Sequence, residues 1–132
     1  MQIDRELIIE EIKNLYKTSK EKCDKILDDA GFYEYIENYY RSPRNWLKFG
    51  ERSDEDPFES IPLCWQGPFS YGGSTTWVMI GEFVVEEDTL FAGIYNYHSG
   101  PPDYMFISLE VIPDNVLSNA LDTIKKGFST NN

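Results

Sequence analysis

The sequence predicts an α+β fold: two N-terminal helices, a mostly antiparallel sheet of three to four strands, and one C-terminal helix packed on it. Three observations predict it. Apolar residues recur at steps of three and four over residues 4–40, strand formers dominate 75–112, and Pro113-Asp114 opens a second helical pattern. Segregated blocks of helix and strand mark α+β and not an alternating parallel fold.

The first helix is expected from an Asp4 N-cap to Gly31 as a single long element. Ile8, Ile12, Leu15, Ser19, Cys23, Ile26 and Ala30 draw its stripe. Its other face carries Glu10, Glu11, Lys13, Lys17, Lys20, Glu21 and Lys22, a solvated face by its composition. A second helix is expected over Phe32–Tyr40, stopped by Pro43. Trp46, Leu47 and Phe49 suggest a turn that caps the core, and Ser53 to Pro57 an exposed acidic loop.

Strand signals then take over. Ile61–Trp65 reads as a short strand, and Gly67–Ser74, rich in Gly and Pro, as a loop. Thr75–Val85 is dense in Thr, Trp, Val, Ile and Phe and reads as a strand. Glu86-Glu87-Asp88 turns it into a returning strand over Leu90–Tyr97. His98–Asp103 reads as a loop and Tyr104–Ile112 as the next strand. The last helix should bury Leu117, Ala120, Leu121, Ile124 and Phe128, with Lys125 and Lys126 at the negative end of its dipole.

A length of 132 residues fits one domain, 1–132, able to bury a core without staples. Two cysteines, Cys23 and Cys64, make no disulfide framework. The apolar stretch from Leu7 is broken by Glu10, Glu11 and Lys13, so it does not read as a signal segment, and no apolar run approaches the ~20 residues of a membrane span. A soluble, cytoplasmic protein is the expectation.

Charge placement is the most informative feature. Residues 1–52 hold ten Lys and Arg against eleven Asp and Glu, a net of -1; residues 53–132 hold two against twelve, a net of -10; together these give the formal -11. No Lys or Arg lies between Arg52 and Lys125. A stretch of one sign acts as a field that steers oppositely charged partners. Direct nucleic-acid binding and an anionic membrane are excluded partners, because both need cations on the protein. The reading expects the acids of the β half to form one contiguous negative surface.

Candidate chemistry is sparse. His98, Ser99 and Asp103 share a loop, but a triad needs convergent side chains, which neighbours on one loop rarely supply. Cys64 lies between Leu63 and Trp65, the setting of a small buried hydrophobe rather than a thiolate. One His and two separated Cys do not suit zinc, and Asp54-Glu55-Asp56 lacks the spacing and glycine of a calcium loop. Gly67–Ser74 lacks the Gly-Lys-Ser/Thr ending of a phosphate loop. No catalytic residue, metal or cofactor is therefore assigned. Aromatics make up 15% of the chain, and Tyr71, Tyr97 and Tyr104 lie beside Gly- and Pro-rich loops. Tyrosine offers rigid contact area with a polar handle.

The functional expectation is an acidic inhibitor that binds a cationic protein, most concretely an immunity protein blocking a nuclease-type toxin, or a phage anti-defence protein. In size, acidity and location the chain is similar to many such proteins, with no motif carrying the likeness. A small-molecule-binding or enzymatic domain with an aromatic-lined pocket is the alternative, and a chaperone or adaptor for a basic client the third. The expected contact residues are Asp54, Glu55, Asp56 and Glu59 in one loop, Glu86, Glu87 and Asp88 in the hairpin turn, and Tyr97, His98, Asp103 and Tyr104 around the next loop. Successive hairpins put the last two groups at opposite ends of the sheet, and the one around His98–Tyr104 leads.

Overall fold

The structure is a computed structural model and describes residues 4–30, 63–71, 74–97 and 103–130. The expected helix at Phe32–Tyr40, the acidic loop with Asp54, Glu55, Asp56 and Glu59, and His98 lie outside the described residues. Tyr97 and Asp103 are placed by their backbone only.

The N-terminal helical stretch is two helices, not one. α1 spans Arg5–Thr18 and α2 spans Lys20–Asp29. Asp4 caps α1 as expected, its carboxylate accepting from the Leu7 N–H at 3.1 Å. The break falls at Ser19, whose backbone is extended (φ -161°, ψ 98°). Its N–H donates to the Leu15 carbonyl at 3.0 Å, closing α1, and its Oγ accepts from the Lys22 N–H at 3.2 Å, opening α2. One serine thus satisfies backbone groups of both helix ends, which makes the break cheap. The buried residues of the pair are Ile12, Tyr16, Cys23 and Leu27. Tyr16 and Leu27 were not on the expected stripe; they follow Ile12 and Cys23 by four, one turn along the same faces.

The sheet is a four-stranded antiparallel meander in the order β1-β2-β3-β4. Its strands are β1 (Cys64–Tyr71), β2 (Ser74–Glu86), β3 (Thr89–Tyr97) and β4 (Asp103–Ser108). Gly67 to Tyr71, expected as a loop, belongs to β1. β1 is an edge strand, and Pro68 sits where its register shifts between Gln66 and Ser70, the place in a sheet where a missing N–H is tolerated. β4 stops earlier than expected, and Leu109–Val111 forms a 3-10 turn. α3 (Asp114–Thr130) follows, its first turn anchored on the Pro113 carbonyl.

Strand register sorts the side chains. Val78, Ile80, Phe83, Leu90, Ala92 and Ile94 are all buried and share one face. α1 and α2 lie against β2, and α3 packs on both helices. Val116, Leu117, Ala120, Leu121 and Ile124 of α3 join the same core; Phe128 is half-buried and takes the Lys22 ammonium over its ring at 4.2 Å. The Tyr16 and Phe83 rings meet edge-on with centroids 5.5 Å apart, tying α1 to β2. No described helix is long and apolar enough to cross a membrane.

Candidate functional site

The other sheet face carries the most unusual surface. A bulge at Gly81 puts Glu82 opposite Gly93, and the register sets Tyr95 opposite Tyr104 and Phe106 opposite Gly93. Tyr104 packs against Tyr95 with the rings tilted (centroids 4.7 Å, 55°) and meets Phe106 edge-on (5.5 Å, 80°). Both remain open to solvent, Tyr104 at 40% and Phe106 at 54%. Gly93 makes this possible. A Cβ there would stand 2.8 Å from both Tyr104 Cζ and Glu82 Cγ, so only glycine lets the Tyr104 ring lie across β3. The Tyr104 hydroxyl donates to the Glu82 carboxylate.

Glu82 is also the end of a polar chain that begins in the core. The Tyr16 hydroxyl donates to Asp24 at 2.9 Å, Lys20 donates to Asp24 at 2.6 Å, and Lys20 reaches Glu82 at 2.5 Å. Burial works against the charge on Lys20, but its bonds to Asp24 and Glu82 more than offset this and raise its pKa. Burial also works against the charge on Glu82, and the bonds from Lys20 and Tyr104 more than offset it and lower its pKa. Burial, then the neighbouring carboxylate, push the phenols of Tyr16 and Tyr104 up. Each shift drives its group further into the form it already holds at neutral pH. These four groups therefore stay in one protonation state near neutrality, which suits them poorly to proton transfer there.

The acidic turn behaves differently. Asp88 accepts from Lys13 on its backbone carbonyl at 3.1 Å and on its carboxylate at 3.4 Å, and from Lys17 on its carboxylate. Those bonds, Lys17's first, hold the Asp88 carboxyl below its ordinary pKa. Arg5 pairs with Asp114 at 2.5 Å and also donates to the Leu109 carbonyl. The expected contiguous negative surface is thus interrupted: Lys13 and Lys17 cover Asp88, Lys20 covers Glu82, and Arg5 covers Asp114. Among the described residues the acids of the β half therefore do not form one uninterrupted negative surface, and Asp88 is compensated at the hairpin turn. Glu86 and Glu87 stay exposed, without an ion pair among the described residues.

Among the expected contact residues whose side chains are described, Tyr104 is the one in a cluster with an exposed aromatic neighbour. Asp103 pairs through its backbone with Asn96, and Glu86 pairs with Thr89, so the two ends of β3 carry the two groups, as hairpin geometry requires. Sequence reasoning missed Phe106 and Glu82. Alternation from Tyr104 to Phe106 was a usable signal; the Glu82 placement depends on the Gly81 bulge and was not.

Cys23 and Cys64 are buried free thiols, and burial pushes Cys23 up to about 11. No group of three or more His, Cys, Asp and Glu is placed to hold a metal among the described residues. A shallow, open surface depression on α3 is lined by Asp122, Lys125, Lys126 and Ser129. No protein-family model, curated protein or solved structure matches this chain.

Proposed function

We propose that this chain is an acidic cytoplasmic inhibitor that binds a cationic protein through β4, in the manner of an immunity protein against a nuclease-type toxin. The observation that carries the reading is the exposed Tyr104–Phe106 pair beside Glu82, within a stretch that has no Lys or Arg of its own. Aromatic anchors rimmed by carboxylates suit a partner whose surface is built to hold phosphates. Asp88 at the turn serves the fold first, so affinity rests on β4 and on the overall charge of -11, not on Asp88.

The product of the gene adjoining this one is the partner to test. Titration should give a complex that weakens with salt, and co-expression should relieve that protein's toxicity. Phe106→Ala and Tyr104→Ala should each weaken binding by about tenfold or more. Asp103→Lys should slow association, while Glu86→Lys with Glu87→Lys should cost little. Undiminished affinity in both alanine variants would move the site elsewhere; absence of binding and of protection would end the inhibitor reading.

A further inference from the structure

The two edges of the sheet are built differently. β1 carries Pro68 and a register shift between Gln66 and Ser70, both of which spoil pairing with another strand. β4 pairs with β3 from Asn96–Asp103 to Phe91–Ser108 with no shift, and it is the last strand of the sheet. Its six residues, Asp-Tyr-Met-Phe-Ile-Ser, contain no proline and no lysine, the usual guards of an edge. In an antiparallel strand alternate residues turn their N–H and C=O groups outward, so β4, with no further strand beside it among the described residues, offers a regular ladder on its outer side.

From this we infer that β4 receives an extended, arginine-bearing segment of the partner as a fifth strand. The inference rests on the inhibitor reading and specifies its binding mode. Charge selects the occupant. Asp103 opens the strand, exposed Glu110 follows it, and Glu82 lies beside Tyr104, with Lys20 as its basic partner. Guanidinium groups projecting from alternate positions of the added strand would lie over Tyr104 and Phe106, where planar cations stack well. A second copy of this chain fits worse, since each copy carries a charge of -11.

The test is an amide-resolved NMR titration of the full chain at low salt with a synthetic peptide of about eight residues alternating Arg and Thr. Two control peptides are needed, one N-methylated at alternate residues and one with Glu for Arg. Binding should newly protect from exchange the alternate amides of residues 103–108 that face away from β3. N-methylation on the pairing side should weaken binding more than about tenfold, because it removes the ladder donors and keeps the charge. Phe106→Ala should weaken it several-fold while the chain stays folded. Equal binding of the N-methylated peptide would overturn strand addition and leave the cationic-partner reading standing. Equal binding of the Glu peptide would overturn both. Failure of the Arg peptide to bind, or pairing of two copies through residues 103–108, would overturn strand addition alone, with the titration against the adjoining gene product deciding the rest.

Discussion

The hairpin turn between β2 and β3 and the surface around edge strand β4 each hold a carboxylate clasped by lysine, yet what stays exposed beside it differs. At the turn, Asp88 is clasped by Lys13 and Lys17 of α1. Beside β4, Lys20 reaches Glu82 of β2, and the exposed surface there is two aromatic rings and Glu110, whereas at the turn it is Glu86 and Glu87. The turn also holds strain that the edge does not. Glu87 and Asp88 both have positive φ (49° and 65°), the pattern of a type I′ turn, where Asn-Gly is the favoured pair. A glutamate there is uncommon, and the lysines from α1 fasten the turn that it strains. Charge counted along a chain is therefore not charge available to a partner. What the fold pairs internally is spent on the fold.

The largest expected effect breaks both regions together. Phe83 is fully buried on β2 and packs on Tyr16, the core end of the polar chain that runs to Glu82. Phe83→Ala should cost about 3–5 kcal/mol in urea unfolding, and hairpin and edge should melt in one transition. Separate transitions would mean that the two regions are not one cooperative unit.

Gly93→Ala should break the edge and spare the turn. The added Cβ displaces the Tyr104 ring and the Glu82 side chain, at about 1–3 kcal/mol. Near-UV circular dichroism should report the loss of tyrosine stacking, while the Lys13 and Lys17 contacts to Asp88 persist. An unchanged tyrosine signal would contradict the packing described.

Glu87→Asn sharpens the other side. It relieves the positive φ and leaves Asp88 to its lysines, so stability should rise by up to about 1 kcal/mol. A drop in the urea midpoint would count against a type I′ turn.

The smallest effects appear in acid. The folded pKa values of Asp88 and Glu82 are lowered, so their stabilisation is present above the ordinary carboxylate pKa of about 4 and is lost as pH falls through the folded values. Asp28 has the opposite sign: burial first, then Asp24, Asp29 and Glu82, raise its pKa, so its charge opposes folding at neutral pH and acid relieves it. Asp88→Asn should lower the pH 7 midpoint and flatten the acid limb, whereas Asp28→Asn should raise the midpoint by a smaller amount that fades in acid. Acid also relieves the general repulsion of an acidic chain, so the difference from wild type is the quantity to read. Parallel pH profiles for all three proteins would remove the local account of these charges.

Much of the architecture was legible because its signals are local. Asp4 as a cap, the strand formers of β2 and β3, the turn at 86–88 and the buried face of α3 are fixed by nearest neighbours and by side-chain period. Two of the local failures also had local causes. Ser19 divides the first helix because its hydroxyl and amide can serve two helix ends, and Pro68 stays in β1 because an edge strand does not need its N–H.

The sequence by itself determined the α+β block order, the strand-forming segments and the quantity of negative charge. Only the tertiary structure decided which carboxylates remain available. Ion pairing between Lys17 and Asp88, or between Lys20 and Glu82, joins residues far apart in the chain, and no local pattern encodes so distant a meeting. The Gly81 bulge and the bare Gly93 likewise bring Glu82, Tyr104 and Phe106 onto one face. Side-chain period is a property of a single strand, whereas register and charge pairing are properties of surfaces that exist once the strands and helices have met.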